Sequence, residues 1–174
     1  MGLSADLGYE IRAQGALHRQ VVRLASTKPA SALMRKVLPS VDRVVLRATT
    51  GRTTLSSLLS GLPVVWVTTT GARSGQPRTV PLLAFPAGND LALLGTSFGQ
   101  AKTPGWVHNI ESDPNVTISY RGASVRGRAR PAREAEEPGI WERAGAVYPG
   151  YSSYGERAAH RRIRVFVLES SPIG

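Results

Sequence analysis

The sequence contains no cysteine. That absence excludes disulfides, thiolate metal sites and a cysteine nucleophile, and it favours a reducing compartment or indifference to redox state. No run approaches the roughly 18 apolar residues of a membrane-spanning helix, and residues 1–10 lack the basic and then apolar pattern of a signal peptide. We therefore expect a cytoplasmic protein without a membrane span.

Lysine is also scarce, because three of the 22 basic residues are lysine and nineteen are arginine. Only 12 acidic residues oppose them, which leaves a net charge of +10. Such an excess favours acidic partners, namely nucleic acid, anionic lipid or a polyanionic small molecule. A soluble protein with an arginine-rich surface is the plainer alternative, and composition does not decide between them.

The constellations that hydrolysis requires are missing as well. The three histidines show no metal-ligand spacing with one another or with carboxylates, and the sequence has no GxSxG nucleophile elbow. The glutamates of residues 134–137 indicate the first turn of a helix. We therefore predict no metal site, and a cofactor that carries the chemistry fits the sequence better.

The chain, 174 residues long, divides into two regions by pattern. Residues 1–60 have apolar residues at helical spacing and predict an N-terminal helical segment packed on or appended to the main domain. Six of the ten net positive charges fall within residues 1–52, so this segment either contacts the inner, anionic face of a membrane or packs with its basic face in water. Residues 61–174 predict the main domain.

Strand-like runs with short connections dominate the second region. They predict a mainly β (α+β) fold, a six-stranded antiparallel barrel with peripheral helices. The strands are expected at residues 62–70, 78–85, 90–96, 116–120, 123–130 and 163–168. Helices are expected at residues 104–112 and 134–147.

Three arginines alternate along the fifth predicted strand. Arg126, Arg128 and Arg130 therefore share one face of it. No aromatic platform for stacking bases is interleaved with them. We expect a solvated outer face here and no nucleic-acid partner.

A glycine turn joins the first two predicted strands. Residues 68–81 read TTTGARSGQPRTVP. The glycines allow backbone N–H groups to approach a ligand, and Arg73 and Arg78 can each bind a phosphate or carboxylate with two hydrogen bonds. Neither a Walker loop nor a dinucleotide fingerprint is present. The pattern predicts an anion-binding turn, with a plain solvated turn as the alternative.

A second anion-favouring position lies between the third strand and the first helix. The loop at Ser97 leads to a helix N-terminus, with Lys102 beside it, although it is equally readable as a simple strand-to-helix connection. Trp106 and Asn109 share one face of that helix, and the residues alone favour a structural role for both.

Three of the five tyrosines fall within the stretch YPGYSSY, at Tyr148, Tyr151 and Tyr154. Such a cluster offers flat faces for stacking and hydroxyls that donate protons. A helix end held to the core by aromatic rings explains the same cluster.

From about residue 61 to 169 the sequence resembles the deazaflavin-dependent nitroreductase family, which uses coenzyme F420 and is usual in actinobacteria. The matching pieces, in matching order and spacing, are TTTGARSGQPRTVPL (68–82), GTSFGQAKTPGWVHNIESDPNV (95–116), YPGYSSY (148–154) and IRVFVLE (163–169). The resemblance implies a split β-barrel like that of FMN-binding proteins. It also implies hydride transfer from the reduced coenzyme to a small apolar electrophile, such as a quinone or a nitro compound.

The resemblance further implies roles for individual residues. Tyr151 or Ser97 is expected to assist protonation, with Tyr148 and Tyr154 as walls of the substrate pocket. Cofactor binding is expected at Ala72, Arg73, Ser74, Gly75, Arg78, Thr79, Val80, Pro81, Gly95, Thr96, Ser97, Phe98, Lys102, Gly105, Trp106, Val107, His108, Asn109 and Tyr151.

The sequence departs from the type member of that family in three places. Leu83 stands where that member has a tyrosine, Phe98 stands where it has a lysine, and the loop at residues 97–106 is one residue shorter. The expected pocket is therefore more apolar, and the coenzyme's phosphate contacts rest more on the arginine turn and Lys102.

Two other functions stay open at this stage. One is an FMN- or heme-binding relative on the same barrel, since a fold does not fix a function. The other is a non-enzymatic basic protein that binds nucleic acid or a membrane. The resemblance leaves both a monomer and a homodimer open.

Overall fold

The computed structural model describes residues 2–10, 64–97, 101–147, 151 and 162–171. The predicted helical segment at residues 1–60 therefore lies outside the described residues, apart from residues 2–10. No helix within these ranges is long and apolar enough to cross a membrane. The elements are the helices α1 (Leu3–Asp6), α2 (Gly105–Ser112) and α3 (Glu137–Val147), and the strands β1 (Val64–Thr70), β2 (Pro77–Leu83), β3 (Phe85–Ala87), β4 (Asp90–Leu94), β5 (Asn115–Tyr120), β6 (Ala123–Pro131) and β7 (Val165–Ser170).

All these strands form one antiparallel sheet in the order β2-β1-β5-β6-β7-β4-β3. β2 and β3 therefore lie at opposite edges of the sheet, although only Ala84 separates them along the chain. Two residue steps of extended chain span at most about 7 Å, so the two edges must meet at Ala84. The sheet is consequently rolled up into an open barrel.

The expectation of six strands is wrong, because the predicted second strand is two strands. β2 pairs with β1, with Leu83 opposite Val64, whereas β3 pairs with β4, with Phe85 opposite Ala92. The apolar pattern runs through this change of partner without a break, because the chain is buried or half-buried on both sides of it. The mainly β, antiparallel class is confirmed.

β4 and β7 are buried on both faces, which explains their continuous apolar sequences. Leu91 and Leu93 of β4 contribute to the core cluster that also includes α2 residues. The intervening Ala92 and Leu94 contribute to a second cluster, on the side of α3. β7 alternates in the same way between the two clusters, so these two strands separate two apolar layers.

The N-terminal residues 2–10 pack onto this barrel. Leu3 and Leu7 are buried in the first core cluster, and the ring of Tyr9 lies 5.2 Å from that of Tyr120. The Tyr9 hydroxyl donates a hydrogen bond to the carbonyl of Ala84. Burial of the Tyr9 side chain raises the pKa of its hydroxyl well above the ordinary value. The segment is thus bonded to the residue at which the two sheet edges meet.

The expectation of a solvated arginine face on β6 is correct for the exposed Arg126 and Arg128 and wrong for Arg130. The Arg130 guanidinium lies 2.7 Å from a carboxylate oxygen of Glu136 and 2.6 Å from one of Glu169. Its side chain is only 25% exposed. Arg130 therefore joins the residues that precede α3 to β7.

The edge strand β2 contains two prolines four residues apart, Pro77 and Pro81. A proline is tolerated in a paired strand where its nitrogen faces away from the partner. Alternate residues of a strand direct their backbone N–H and C=O groups to the same side of the strand. Pro77 and Pro81 are four residues apart, so the nitrogens of both face the open edge of β2, away from β1.

We expect Tyr9→Phe to lower the free energy of unfolding by about 1–3 kcal/mol, because the buried Ala84 carbonyl then lacks the hydroxyl that it accepts from. Ser4→Ala is the matched control, since it removes a hydroxyl bonded to the Asp90 carbonyl in the same segment at a half-buried position. Urea unfolding measures both variants. A Tyr9→Phe loss no larger than that of Ser4→Ala would contradict the assigned role.

We expect stability to fall in acid through Glu136. Hydrogen bonds from the Arg130 guanidinium and then from the Arg133 backbone N–H lower the pKa of Glu136 from 4.5 to about 2. This stabilisation is therefore complete above pH 4.5 and is lost as the pH falls toward 2. Glu136→Gln should have its unfolding midpoint at a lower urea concentration than wild type at pH 7. The difference between the two midpoints should be smaller at pH 3. Glu142→Gln, at an exposed position of α3, is the matched control, and the same pH-dependent difference in both variants would contradict the role assigned to Glu136.

Candidate functional site

The turn between β1 and β2 is held by its own backbone. Gly71 N–H donates to the Gln76 carbonyl over 2.9 Å, and Gly75 N–H donates to the Gly71 carbonyl over 2.8 Å. Gly75 has a φ of +64°, and a Cβ on Gly71 would lie 2.7 Å from the Ser74 Oγ. These two glycines thus allow a compact turn that presents Arg73.

The helix α2 begins beside this turn. Its N-cap residue, Pro104, has extended backbone and supplies no side-chain cap. The first N–H groups of an α-helix have no partner within the helix, so this end favours an anion. Trp106, Val107 and Ile110 are the buried residues of α2. A Cβ on Gly105 would meet no atom within 4 Å, so open space lies beside this residue of the first turn.

We call the turn between β1 and β2, at residues 71–76, the arginine turn. A cleft of about 700 Å³ lies between this turn and α2. It gathers ten of the residues that the sequence predicts for cofactor binding. Gly71 and Thr103 line it as well and were not predicted. Among the described residues, the lining is Gly71, Ala72, Arg73, Ser74, Arg78, Val80, Lys102, Thr103, Gly105, Trp106, His108 and Asn109.

The described residues that line the cleft include cations and no acidic residue. Within the described ranges, Arg73, Arg78 and Lys102 form no ion pair with a carboxylate, whereas Arg130 and Arg164 do, at 2.6–2.8 Å. The three cleft cations are thus available to an external anion. Arginines there can bind a phosphate or carboxylate through paired hydrogen bonds.

Two side chains from α2 and its C-terminal end hold β1 and the turn. Asn109 Oδ1 accepts from Ala72 N–H over 3.0 Å, and Asn109 Nδ2 donates to Thr69 Oγ1 over 3.0 Å. Thr70 Oγ1 donates to Asp113 Oδ2 over 2.8 Å. Hydrogen bonds from Asn115 N–H and then from the Thr70 hydroxyl lower the pKa of Asp113. The arginine turn is therefore bonded directly to the helix.

Sequence reasoning missed Thr69, Thr70 and Asp113. A usable signal was present, because Asn109 and Asp113 are four residues apart and such residues share one side of a helix. Nothing in the sequence indicated that this side would face β1, which depends on how the sheet curls.

Several predicted residues lie beside the cleft and do not line it. Thr79 and Pro81 alternate with the lining residues of β2 and so belong to its other face, where the hydroxyls of Thr79 and Thr68 are 2.8 Å apart. Gly75 lies at the exposed tip of the turn. The cofactor-binding role of these three positions stays a prediction.

A further group lies at the end of β4. Gly95 and Thr96 are buried, and a Cβ on Gly95 would lie 2.9 Å from a methyl of Val107. The close approach of β4 to α2 therefore requires glycine there. Ser97 follows, half-buried, with a φ of +49°. A non-glycine residue in this region is strained, and such residues are concentrated at functional sites.

Tyr151 is 7% exposed and belongs to the second core cluster. Its ring packs edge-on against Phe85, with 5.0 Å between ring centroids. The arginine turn precedes β2, whereas Phe85 follows the other end of that strand. Seven residues of strand span about 20 Å. Tyr151 is not among the residues that line the cleft. The predicted site residues Tyr148, Tyr154 and Phe98 lie outside the described residues.

Comparisons with known proteins agree on one family. The family model described as F420H(2)-dependent quinone reductase matches residues 41–170. A curated F420H(2)-dependent quinone reductase of Mycobacterium tuberculosis is 28% identical over 128 residues, which cover 71% of this chain and 84% of that protein.

Two solved structures are also similar to this chain. A structure of an F420-H2 dependent reductase, FDR-A, is similar with a TM-score of 0.56 and 32% identity, over 62% of this chain and 94% of that one. Another, described as a domain-swapped dimer, has a TM-score of 0.59 and 28% identity, over 82% of this chain and 100% of that one.

We expect Gly71→Ala to open the arginine turn, because its Cβ would lie 2.7 Å from Ser74 Oγ and 3.1 Å from the Gln76 carbonyl. Amide hydrogen exchange measures the effect, and the backbone N–H of residue 71 should exchange faster in Gly71→Ala than in wild type. Gly105→Ala is the control, since its Cβ meets open space and alanine favours a helix by up to about 1 kcal/mol. Equal exchange in both variants would show that the turn does not need glycine at residue 71.

Proposed function

The chain belongs to the F420H(2)-dependent quinone reductase family, and on this premise we propose that it reduces a quinone or a similar apolar electrophile with reduced coenzyme F420. The observation that carries the proposal is the cleft with three cations, none of which pairs with a carboxylate of the described residues. When bound, the coenzyme supplies a hydride from its deazaflavin ring. The residues of the chain then have to bind a polyanion, orient the two reactants and supply a proton.

The donor set of the cleft fits this coenzyme, whose phosphate and glutamyl carboxylates are anionic. Arg73 and Arg78 are fork-shaped donors that suit phosphate, and Lys102 adds a point charge. The N-terminus of α2 adds backbone N–H groups, with open space in front of Gly105. We propose that these groups hold the anionic part of the coenzyme. Because they come from both sides of the cleft, these groups would also fix the orientation of the coenzyme.

For the proton we propose Ser97 or Tyr151. Support for Ser97 comes from its strained backbone and from its position two residues beyond Gly95, which packs on α2. Support for Tyr151 comes from the sequence resemblance and from its place beside apolar residues. Either hydroxyl would donate while the electrophile accepts the hydride.

An apolar substrate is supported by what surrounds Tyr151. Leu83 packs against the cluster that contains Tyr151 and Phe85, and it stands where the type member of the nitroreductase family has a tyrosine. A leucine removes a polar group from that wall. A quinone ring would gain more from such a wall than a charged or strongly polar substrate would.

A second copy of the chain is the proposed protein partner. The support is the solved relative that is described as a domain-swapped dimer and that this chain covers entirely. Membrane contact through the basic residues 12–52 stays a prediction, because those residues lie outside the described part of the chain.

We expect Arg73→Ala and Arg78→Ala each to weaken F420 binding about 10- to 100-fold, since each deletes charge-assisted hydrogen bonds worth about 1.5–3 kcal/mol. A titration that follows coenzyme fluorescence measures this, with FMN as the competing ligand. Arg126→Ala is the matched control, because it removes an exposed arginine outside the cleft.

Binding of F420 by wild type and by Arg126→Ala, with weaker binding by the two cleft variants, would be followed by quinone reduction assays with the reduced coenzyme. Binding of FMN in preference to F420, or equal losses in all three variants, would contradict the proposed function.

A further inference from the structure

Asn109 lines the cleft, but its side chain is already engaged with the protein. The amide oxygen accepts from Ala72 N–H, and the amide nitrogen donates to Thr69 Oγ1, both over 3.0 Å. An asparagine side chain offers one acceptor oxygen and two N–H donors. Two of these three functions are thus directed at β1 and its turn.

The partners of Asn109 lie on both sides of the arginine turn. Ala72 immediately precedes Arg73. Thr69 Oγ1 donates in turn to the main-chain carbonyl of Arg78, over 3.3 Å. A continuous chain of hydrogen bonds therefore runs from the backbone beside one arginine, through the Asn109 amide, to the backbone of the other.

Thr69 takes part in this chain from a place that a ligand does not reach. It is 2% exposed and does not line the cleft. Its hydroxyl both accepts from Asn109 and donates to Arg78, so removal of the hydroxyl breaks the chain at two points. A buried donor without its acceptor is costly, so the break favours movement of the Asn109 amide or of the turn.

From this geometry we infer that Asn109 and Thr69 are positioning residues, which fix the relative placement of Arg73 and Arg78 for a polyanionic ligand. The inference deepens the proposed function and rests on it. One arginine in the turn and one at the start of β2 bind two anionic groups well only if their separation is set in advance, because ordering them at binding costs affinity. The Asn109 amide sets that separation from the rigid helix α2.

The test uses Thr69→Val, which removes the hydroxyl without a change of charge and without replacing a residue that lines the cleft. The matched control is Thr117→Val on the neighbouring strand. Thr117 lies opposite Thr68 in the register of β1 and β5, so it belongs to the face of the sheet opposite to Thr69. Urea unfolding first establishes that both variants are folded.

Two measurements follow, one with the coenzyme and one without it. In the first, the Kd for F420 should rise about three- to tenfold in Thr69→Val and stay at the wild-type value in Thr117→Val. Arg73→Ala should cost less affinity in the Thr69→Val background than in wild type, because the arginine is no longer held in place. In the second, the Ala72 N–H should exchange with solvent faster in Thr69→Val only.

The outcomes separate the inference from the function on which it rests. If the wild-type protein does not bind F420, the proposed function is overturned, and this inference with it. Wild type that binds F420, with equal Kd values for the two valine variants, overturns the inference alone. Additive losses from Arg73→Ala and Thr69→Val also overturn it, because a purely structural threonine would give that result.

Discussion

The fold depends on the single residue between β2 and β3. Because Ala84 alone connects strands at opposite ends of the sheet order, the sheet cannot lie flat, and the barrel follows from chain connectivity. The core forms inside the curl, and β4 and β7 gain a second apolar cover on the side of α3. The Tyr9 hydroxyl donates a hydrogen bond to the carbonyl of this same residue, so the N-terminal segment stabilises the point at which the two sheet edges meet.

The cleft is a consequence of the same curl. Curling brings the β1–β2 turn against α2, and two polar side chains of that helix region, Asn109 and Asp113, then meet β1 and its turn. Elsewhere the chain uses carboxylates to neutralise its arginines, as Glu136 and Glu169 do for Arg130. It places no carboxylate among the cleft-lining residues that the structure describes. Structure and charge thus leave cations where a polyanionic coenzyme can use them.

The sequence predicted local features well and relations between distant residues poorly. Gly71, Gly75 and Arg73 specify a tight basic turn by themselves, and the helix ending at Ser112 was placed correctly. The break at Ala84 gave no signal, because apolar residues continue across it. The hydrogen bonds of Thr69 and Thr70 to α2 gave none either, since a threonine in a strand is ordinary. Those contacts depend on curvature, which a linear pattern does not encode.

The two prolines of β2 have a consequence for how the protein behaves at high concentration. An exposed strand edge is a template for pairing with another chain, and it is one route to aggregation. Pro77 and Pro81 have no N–H to offer on the open side of β2, so an incoming strand would lose two of its ladder bonds. An open barrel retains a vulnerable edge, and in this chain the sequence of that edge makes it a poor site for fibril growth.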